Sequence, residues 1–293
     1  MYRMPGHSRT RCVLALQAAT LILSVALASD KPVGGSAPEA CVDRPILEDD
    51  FSKGQLDPCS WIPVRENWGG KVEDEDYNGG VVPENVSVSD GMVHLRAHGN
   101  RYVGDIRGIA SDGHARPDGR RTGAAIMTRQ RFLGGRFEAR VRIIRKLGVC
   151  SAMWTFFYDN EPGKPVRNHE IDIEFPGREH IDAPPSFQHV ALTTWTGLEP
   201  GQSRTEFRPL GRDEEQFHTL RFDWQPATAA SSGYVDFYID GALVYSAHTH
   251  IPSEPAPLWL GVWFPKDWAG TPDFGDAEML VDWVRISPLQ PKT

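Results

Sequence analysis

Residues 136–143 read RFEARVRI. Phe137, Ala139, Val141 and Ile143 alternate with Arg136, Glu138, Arg140 and Arg142, so one face is apolar and the other charged. Successive side chains leave a β-strand on opposite faces, and a period of two therefore marks a half-buried strand. The pattern recurs along the chain. Val93, Leu95 and Ala97 alternate with Met92, His94 and Arg96; Leu220, Phe222 and Trp224 with Arg221 and Asp223; Val235, Phe237 and Ile239 with Asp236, Tyr238 and Asp240. Turn residues bound these runs, as in SDGM (89–92), FLGGRF (132–137) and YIDGAL (238–243). After the first 28 residues no stretch sustains a helical period, and no internal repeat is present. Short strands at close spacing predict an all-β sandwich or barrel.

Composition bounds the function. The chain has 293 residues, 40% of them hydrophobic, and a formal net charge of −8. Without a basic face, nucleic acid is excluded as a partner. Near the N-terminus, Arg3, Arg9 and Arg11 precede an apolar stretch from Cys12 to Ala28 that ends in Ala26-Leu27-Ala28. Residues 1–28 read as a cleaved secretory signal peptide, since the apolar stretch is short of the ~20 residues a span needs. Residues 29–45, rich in Pro, Gly, Ser and Ala, read as a flexible leader, and 46–290 as one domain. These features predict a monomer with no membrane attachment after cleavage, secreted to a periplasmic or extracellular compartment. Cys12 lies in the signal, which leaves Cys41, Cys59 and Cys150. One disulfide fits an oxidising compartment, and Cys41–Cys59 is the pair nearest in sequence. Cys150 then reads as a buried apolar side chain. The irregular stretch 99–122 carries Arg101, Arg107, Arg116, Arg120 and Arg121 and reads as a solvated loop, with contact to an anionic glycan as the alternative.

Residues 169–175 read HEIDIEF. On a strand, Ile171, Ile173 and Phe175 point to the core, and Glu170, Asp172 and Glu174 share the other face. Three carboxylates without partners are costly to bury, so that face is wet or a cleft. The Cα atoms of Glu170 and Glu174 lie about 13 Å apart at a strand's rise. Inward-leaning side chains on a concave sheet can approach the roughly 5–5.5 Å that retaining glycosidases use. Mutual repulsion among the acids would keep one protonated while another ionises. A zinc protease is excluded, because HExxH would require His where Ile173 stands. A cation site is the bland alternative, although calcium prefers wrapping loops.

Aromatic residues surround this stretch. In LWLGVWFPKDW (258–268), Leu258, Leu260, Val262 and Phe264 fall on one face and Trp259, Gly261 and Trp263 on the other, with Trp268 beyond a turn. Trp263 and Trp268 are predicted to line a sugar cleft, Trp259 less clearly so. Trp154 and Phe156 share a face opposite Met153, Thr155 and Phe157, and either set could be core. His189 and Trp195 are further candidates.

The stretch HEIDIEF resembles the signature of glycoside hydrolase family 16, β-jelly-roll enzymes acting on β-glucans and related polysaccharides. DDFSKGQLDPCSW (49–61), GAAIMTRQRFLGGRFEARVRI (123–143), FHTLRFDWQP (217–226), VDFYIDG (235–241), LWLGVWFPKDWAG (258–270) and VDWVRI (281–286) resemble its other blocks. The resemblance implies a β-sandwich of two curved antiparallel sheets with a concave substrate cleft. It implies Glu170 as nucleophile, Glu174 as general acid and base, and Asp172 as the group that tunes the nucleophile. Trp263 and Trp268 fall where the family places cleft aromatics, and Trp154 lies on the preceding strand. No cofactor is required and no metal takes part in the chemistry. Some members hold a structural calcium away from the cleft, and Asp282 lies in a suitable region. The unbulged E-x-D-x-E resembles the lichenase, xyloglucan-modifying and fungal wall-crosslinking branches rather than laminarinases. Asn168-His169 and Pro176 depart from lichenases, which carry Trp-Asp and Leu there. The expected function is a secreted retaining hydrolase cleaving internal β-linkages of a β-glucan-like polysaccharide. Its alternatives are a transglycosylase on the same site, a non-catalytic carbohydrate-binding protein and a calcium-dependent structural sandwich.

Overall fold

The computed structural model describes residues 41, 43–67, 79–109, 121–177, 189–209, 216–229, 231–265 and 269–290. Its strands are β1 (Leu47–Asp49), β2 (Trp61–Pro63), β3 (Val86–Ser89), β4 (Met92–His98), β5 (Ala124–Thr128), β6 (Gly135–Arg142), β7 (Cys150–Asp159) and β8 (Arg167–Pro176). They continue with β9 (His189–Trp195), β10 (Ser203–Pro209), β11 (His218–Gln225), β12 (Tyr234–Ile239), β13 (Ala242–Ala247), β14 (Leu258–Trp263) and β15 (Asp276–Ser287). One short 3₁₀ turn, Pro83–Asn85, precedes β3.

Two antiparallel sheets result. The eight-stranded sheet runs β13-β12-β11-β6-β15-β4-β3, with β1 paired to β15; the seven-stranded sheet runs β10-β9-β8-β7-β14-β5-β2. Two hairpins close as their sequences require. Asp90-Gly91 between β3 and β4, and Asp240-Gly241 between β12 and β13, take positive φ at both central residues. That is the turn whose twist matches right-handed strands, and Asp-Gly is its preferred dipeptide.

The core lies between the sheets. Val93, Leu95, Ala97, Phe137, Ala139, Val141, Leu220, Phe222 and Trp224 meet Met153, Ile171, Ile173, Leu192, Leu258, Leu260 and Val262, all buried. Every alternating run read in the sequence therefore turns its apolar face inward. Phe137 stacks on Phe222 with centroids 4.7 Å apart. The Trp224 indole N–H donates to the Pro252 carbonyl at 3.0 Å, which satisfies the polar atom of a fully buried ring. Of the two alternatives for β7, Met153 and Thr155 are core and Trp154 and Phe156 face away from it. The Cys41–Cys59 disulfide is formed, with Cα atoms 5.1 Å apart. Cys150 is a buried free thiol.

The outer face of the eight-stranded sheet is charged and internally paired. Arg136 and Arg221 both donate to Asp223, and the Arg221 guanidinium lies 4.0 Å from the Tyr238 ring centroid. Asp282, the expected calcium ligand, is engaged by Arg140. The arginines of 99–122 also find local partners: Arg101 bonds Asp273 at 3.0 Å, Arg107 bonds the carbonyls of Gly104 and Ile106, and Arg121 bonds Asn100. Arg116 and Arg120 lie outside the described residues, as do the predicted signal peptide, the predicted leader up to residue 40 with residue 42, and Trp268.

The core strand that carries the acids should be sensitive to truncation. Ile173→Ala is expected to lower the free energy of urea unfolding by about 2–5 kcal/mol, the usual cost of a large-to-small core change. Leu243→Ala, at a side chain 55% exposed, should change it by less than about 0.5 kcal/mol.

Candidate active site

Glu170, Asp172 and Glu174 stand in a row on β8, on the face turned away from the core, because Ile171 and Ile173 are fully buried on the other. The register supplies their neighbours. On β7, Phe156, Trp154 and Ala152 lie opposite Glu170, Asp172 and Glu174 in turn. On β9 the partners are Trp195, Thr193 and Ala191. Beyond β7, Trp259 of β14 lies beside Trp154, Gly261 beside Ala152 and Trp263 beside Cys150. The row is thus walled by aromatic rings on one side and by Trp195 on the other.

The two tryptophans of the floor pack on each other, Trp154 and Trp259 stacking with centroids 5.5 Å apart. Trp259, doubtful from its sequence context, is therefore part of this face. Gly261 makes room for the stack: a Cβ there would lie 2.8 Å from the Ala125 Cβ and 3.2 Å from the edge of the Trp154 ring. Phe156 stacks on Tyr158 further along β7.

Each acid has its own partner. The Asn168 side-chain amide donates to Glu170 Oε2 at 3.1 Å. The Trp195 indole N–H donates to Asp172 Oδ2 at 2.8 Å. The Cys150 thiol, 3.9 Å from Glu174 Oε1, is its weak donor. Asp172 and Glu170 also share a hydrogen bond that favours the ionised form of Glu170 and the protonated form of Asp172. Asn168 and Cys150 are contributors that the sequence reading missed. Extending the alternation two residues back from Glu170 reaches Asn168, but nothing local in the sequence pairs Cys150 with Glu174, because their proximity comes from cross-strand register.

The acids are less wet than an open sheet face would leave them. Asp172 is only 4% exposed. Burial is the first cause of every shift in the row. It pushes Glu170 up to about 7 against the hydrogen bonds from Asn168 and Asp172. Burial, then the charge of Glu170, pushes Glu174 up to about 8. Asp172 is held well above the usual carboxylate range by burial and by both glutamates. Desolvation thus leads, and the mutual repulsion expected from the sequence comes second. Burial also raises the Cys150 thiol, which therefore stays a protonated donor.

The other expected residues distribute as follows. Trp154, Trp195 and Trp263 share the face of the acids, and Trp263 bonds the Cys150 sulfur. His189 falls on that face too, two residues beyond Ala191, the partner of Glu174. Among the described residues, no three His, Cys, Asp or Glu side chains are placed to hold a metal ion.

Such a row can divide proton donor from nucleophile, and comparison with known proteins gives it a context. Residues 74–285 match the family described as glycosyl hydrolases family 16. A β-glucanase of Paenibacillus macerans is 30% identical over 160 residues, 52% of this chain and 59% of that protein. A β-glucanase of Acetivibrio thermocellus is 32% identical over 149 residues, 48% of this chain and 39% of that protein. The match thus spans less than two thirds of either relative. Among solved structures, a β-1,3-1,4-glucanase (lichenase) from a mouse hindgut metagenome superposes with a TM-score of 0.61 at 23% identity, covering 84% of this chain and all of that one (100%). The laminarinase catalytic domain of Thermotoga maritima MSB8 gives 0.62 at 21%, covering 84% and 98%. An immunostimulatory antigen and pseudo β-1,3-glucanase of Mycobacterium tuberculosis gives 0.58 at 22%, covering 83% and 98%. These neighbours share the jelly-roll fold. The family match, which takes in more than half of the sequence and the whole of the acidic strand, makes this chain a member of glycosyl hydrolases family 16.

Proposed function

We propose that the protein is a secreted, retaining glycoside hydrolase that cleaves internal β-linkages of a β-glucan-like polysaccharide. The observation that carries this reading is the unequal treatment of the two outer acids. Glu170 receives an amide N–H and a shared hydrogen bond with Asp172, both of which favour its ionised form. Burial raises both glutamates, but Glu174 bears in addition the charge of Glu170, which favours its protonated form against only the weak Cys150 donor. One is poised as nucleophile and the other as acid. The relatives called β-glucanases support the substrate class. The N-terminal reading of residues 1–28 supports export.

The chemistry follows from those states. Ionised Glu170 attacks the anomeric carbon, and the glycosidic C–O bond breaks as Glu174 gives its proton to the leaving oxygen. The product of this half is a glycosyl ester on Glu170. Glu174, now a carboxylate, takes a proton from water as that water attacks the same carbon and releases Glu170. A sugar hydroxyl in place of water completes a transglycosylation with the same proton count. Trp195 holds Asp172 in place through its indole N–H, and Asp172 in turn steadies Glu170.

Glu170→Gln and Glu174→Gln should each lower reducing-end release from β-glucan by about 10³-fold or more. The first product seen by NMR should be the β-anomer. Hydrolysis at full rate by Glu170→Gln would sink the nucleophile assignment, and an α-anomeric first product would sink retention.

Holding these acids protonated has a consequence for stability. A carboxyl raised in the folded state contributes its full stabilisation below its unfolded value, here 4.5 for Glu174, and loses it as pH rises through about 8. Glu174→Gln does not ionise and escapes that loss. Calorimetry should therefore find the variant melting several degrees above the wild type at pH 8, with the gap narrowing towards pH 5. An equal gap at both values would contradict the assigned ionisation.

A further inference from the structure

We propose that Ser89, His94 and Glu278 form a second catalytic site, a serine esterase centre for small acyl esters such as acetates, on the outer face of the eight-stranded sheet. It lies across the sandwich from the acids of β8, so its chemistry stands or falls apart from theirs.

The placement comes from register. Val86 and Val88 of β3, and Val93 and Leu95 of β4, pack into the core, which turns Ser87, Ser89, Met92, His94 and Arg96 outwards. On β15, Met279 and Val281 are core, so Glu278 and Leu280 face the same way. His94 sits directly between Ser87 and Leu280. Ser89 and Glu278 are its diagonal neighbours, each two residues along from one of these and towards opposite ends of the ring's strand. The Asp90-Gly91 turn follows Ser89 at once.

The hydrogen bonds fix the roles. His94 Nδ1 lies 3.0 Å from Glu278 Oε2, and Nε2 lies 2.9 Å from Ser89 Oγ. A carboxylate can only accept, so Nδ1 carries the hydrogen and donates it. Nε2 of the neutral ring is then bare, and the Ser89 hydroxyl donates to it. Nucleophile, base and a third group that orients the base is the order that acyl transfer needs. Arg142 Nη2, 3.8 Å from Glu278 Oε1, holds the carboxyl from its other side. The base is sheltered and the nucleophile open: the His94 side chain is 15% exposed, whereas Ser89 is exposed. A Cβ on Gly91 would meet nothing within 4 Å, which leaves the turn accessible to an incoming ester. The Asp90 and Gly91 N–H groups make no hydrogen bond among the described residues and are the donors available to an oxyanion. Met92 stands directly opposite Ser89, and Ser87, Arg96 and Arg142 complete the rim. A rim so polar suits a short acyl chain rather than a long apolar one.

The steps balance without a further co-reactant. Ser89 Oγ attacks the ester carbonyl carbon as its proton passes to His94 Nε2. The adduct collapses, the ester C–O bond breaks, and the leaving oxygen takes that proton, which gives the alcohol and an acyl ester on Ser89. Water attacks the acyl carbon and loses a proton to Nε2. Ser89 Oγ then leaves and recovers that proton, which gives the carboxylic acid.

The test treats the folded protein with a fluorophosphonate probe and with p-nitrophenyl acetate. Peptide mass mapping should find the probe on Ser89. Ser89→Ala and His94→Ala should each lower ester hydrolysis at least about a hundredfold, with melting midpoints unchanged. Glu278→Gln, whose amide can turn an N–H towards Nδ1 and so reverse the tautomer, should lower kcat and leave KM unchanged. An unlabelled Ser89, or hydrolysis at the wild-type rate by Ser89→Ala, overturns the site. Activity lost in His94→Ala but kept in Ser89→Ala would mark a bare imidazole as the nucleophile and overturns it too, as does undiminished labelling of Ser89 in His94→Ala. Should a variant melt early, labelling of the wild type decides alone.

Discussion

The burial of carboxyls on a strand whose other face is core is the constraint on which the rest of this protein depends. Ile171 and Ile173 are fully buried, so β8 cannot rotate or slip by one residue without exchanging isoleucine for acid in the core. The same anchoring holds Glu170, Asp172 and Glu174 beside Trp154, Phe156 and Trp195, where water is scarce. Desolvation then does what charge crowding alone would do less well, raising the acids into the neutral range. Fold and ionisation are consequences of one alternation.

Much of this was legible in the chain. The runs at 92–97, 136–143, 220–224 and 235–239 reported their inward faces correctly, because a period of two is a local property and needs no knowledge of the partner strand. The Asp-Gly turns were legible for the same reason. The acidic row could also be read, since all three residues lie on one strand. What escaped was everything decided by register between strands: Cys150 against Glu174, the stacking of Trp259 on Trp154, and His94 between Ser89 and Glu278. The choice of core face on β7 escaped as well, because Trp154 with Phe156 and Met153 with Thr155 are both plausible packing sets until the opposite sheet is in place. The order of causes was misjudged too. Repulsion is visible in E-x-D-x-E, whereas desolvation depends on the rings brought alongside.

The two outer faces of the sandwich are built on opposite principles. On the eight-stranded sheet, charges are answered locally: Asp223 accepts from Arg136 and Arg221, and Arg140 engages Asp282. Such pairs solvate the face and contribute little each. On the seven-stranded sheet, acids are left beside tryptophans with weak donors or none of opposite charge. Interactions left unsatisfied by the fold are those a ligand can satisfy.

The glycine at position 261 shows how far this reaches into the evolution of the site. A Cβ there would lie 2.8 Å from the Ala125 Cβ, 2.9 Å from the Ala124 carbonyl oxygen and 3.2 Å from the edge of the Trp154 ring. Position 261 is therefore held to glycine first by the backbone of the neighbouring strand β5 and only then by the ring. Among related sequences the glycine should persist even where the indole facing it is exchanged, because a smaller ring would leave the clash with β5 in place.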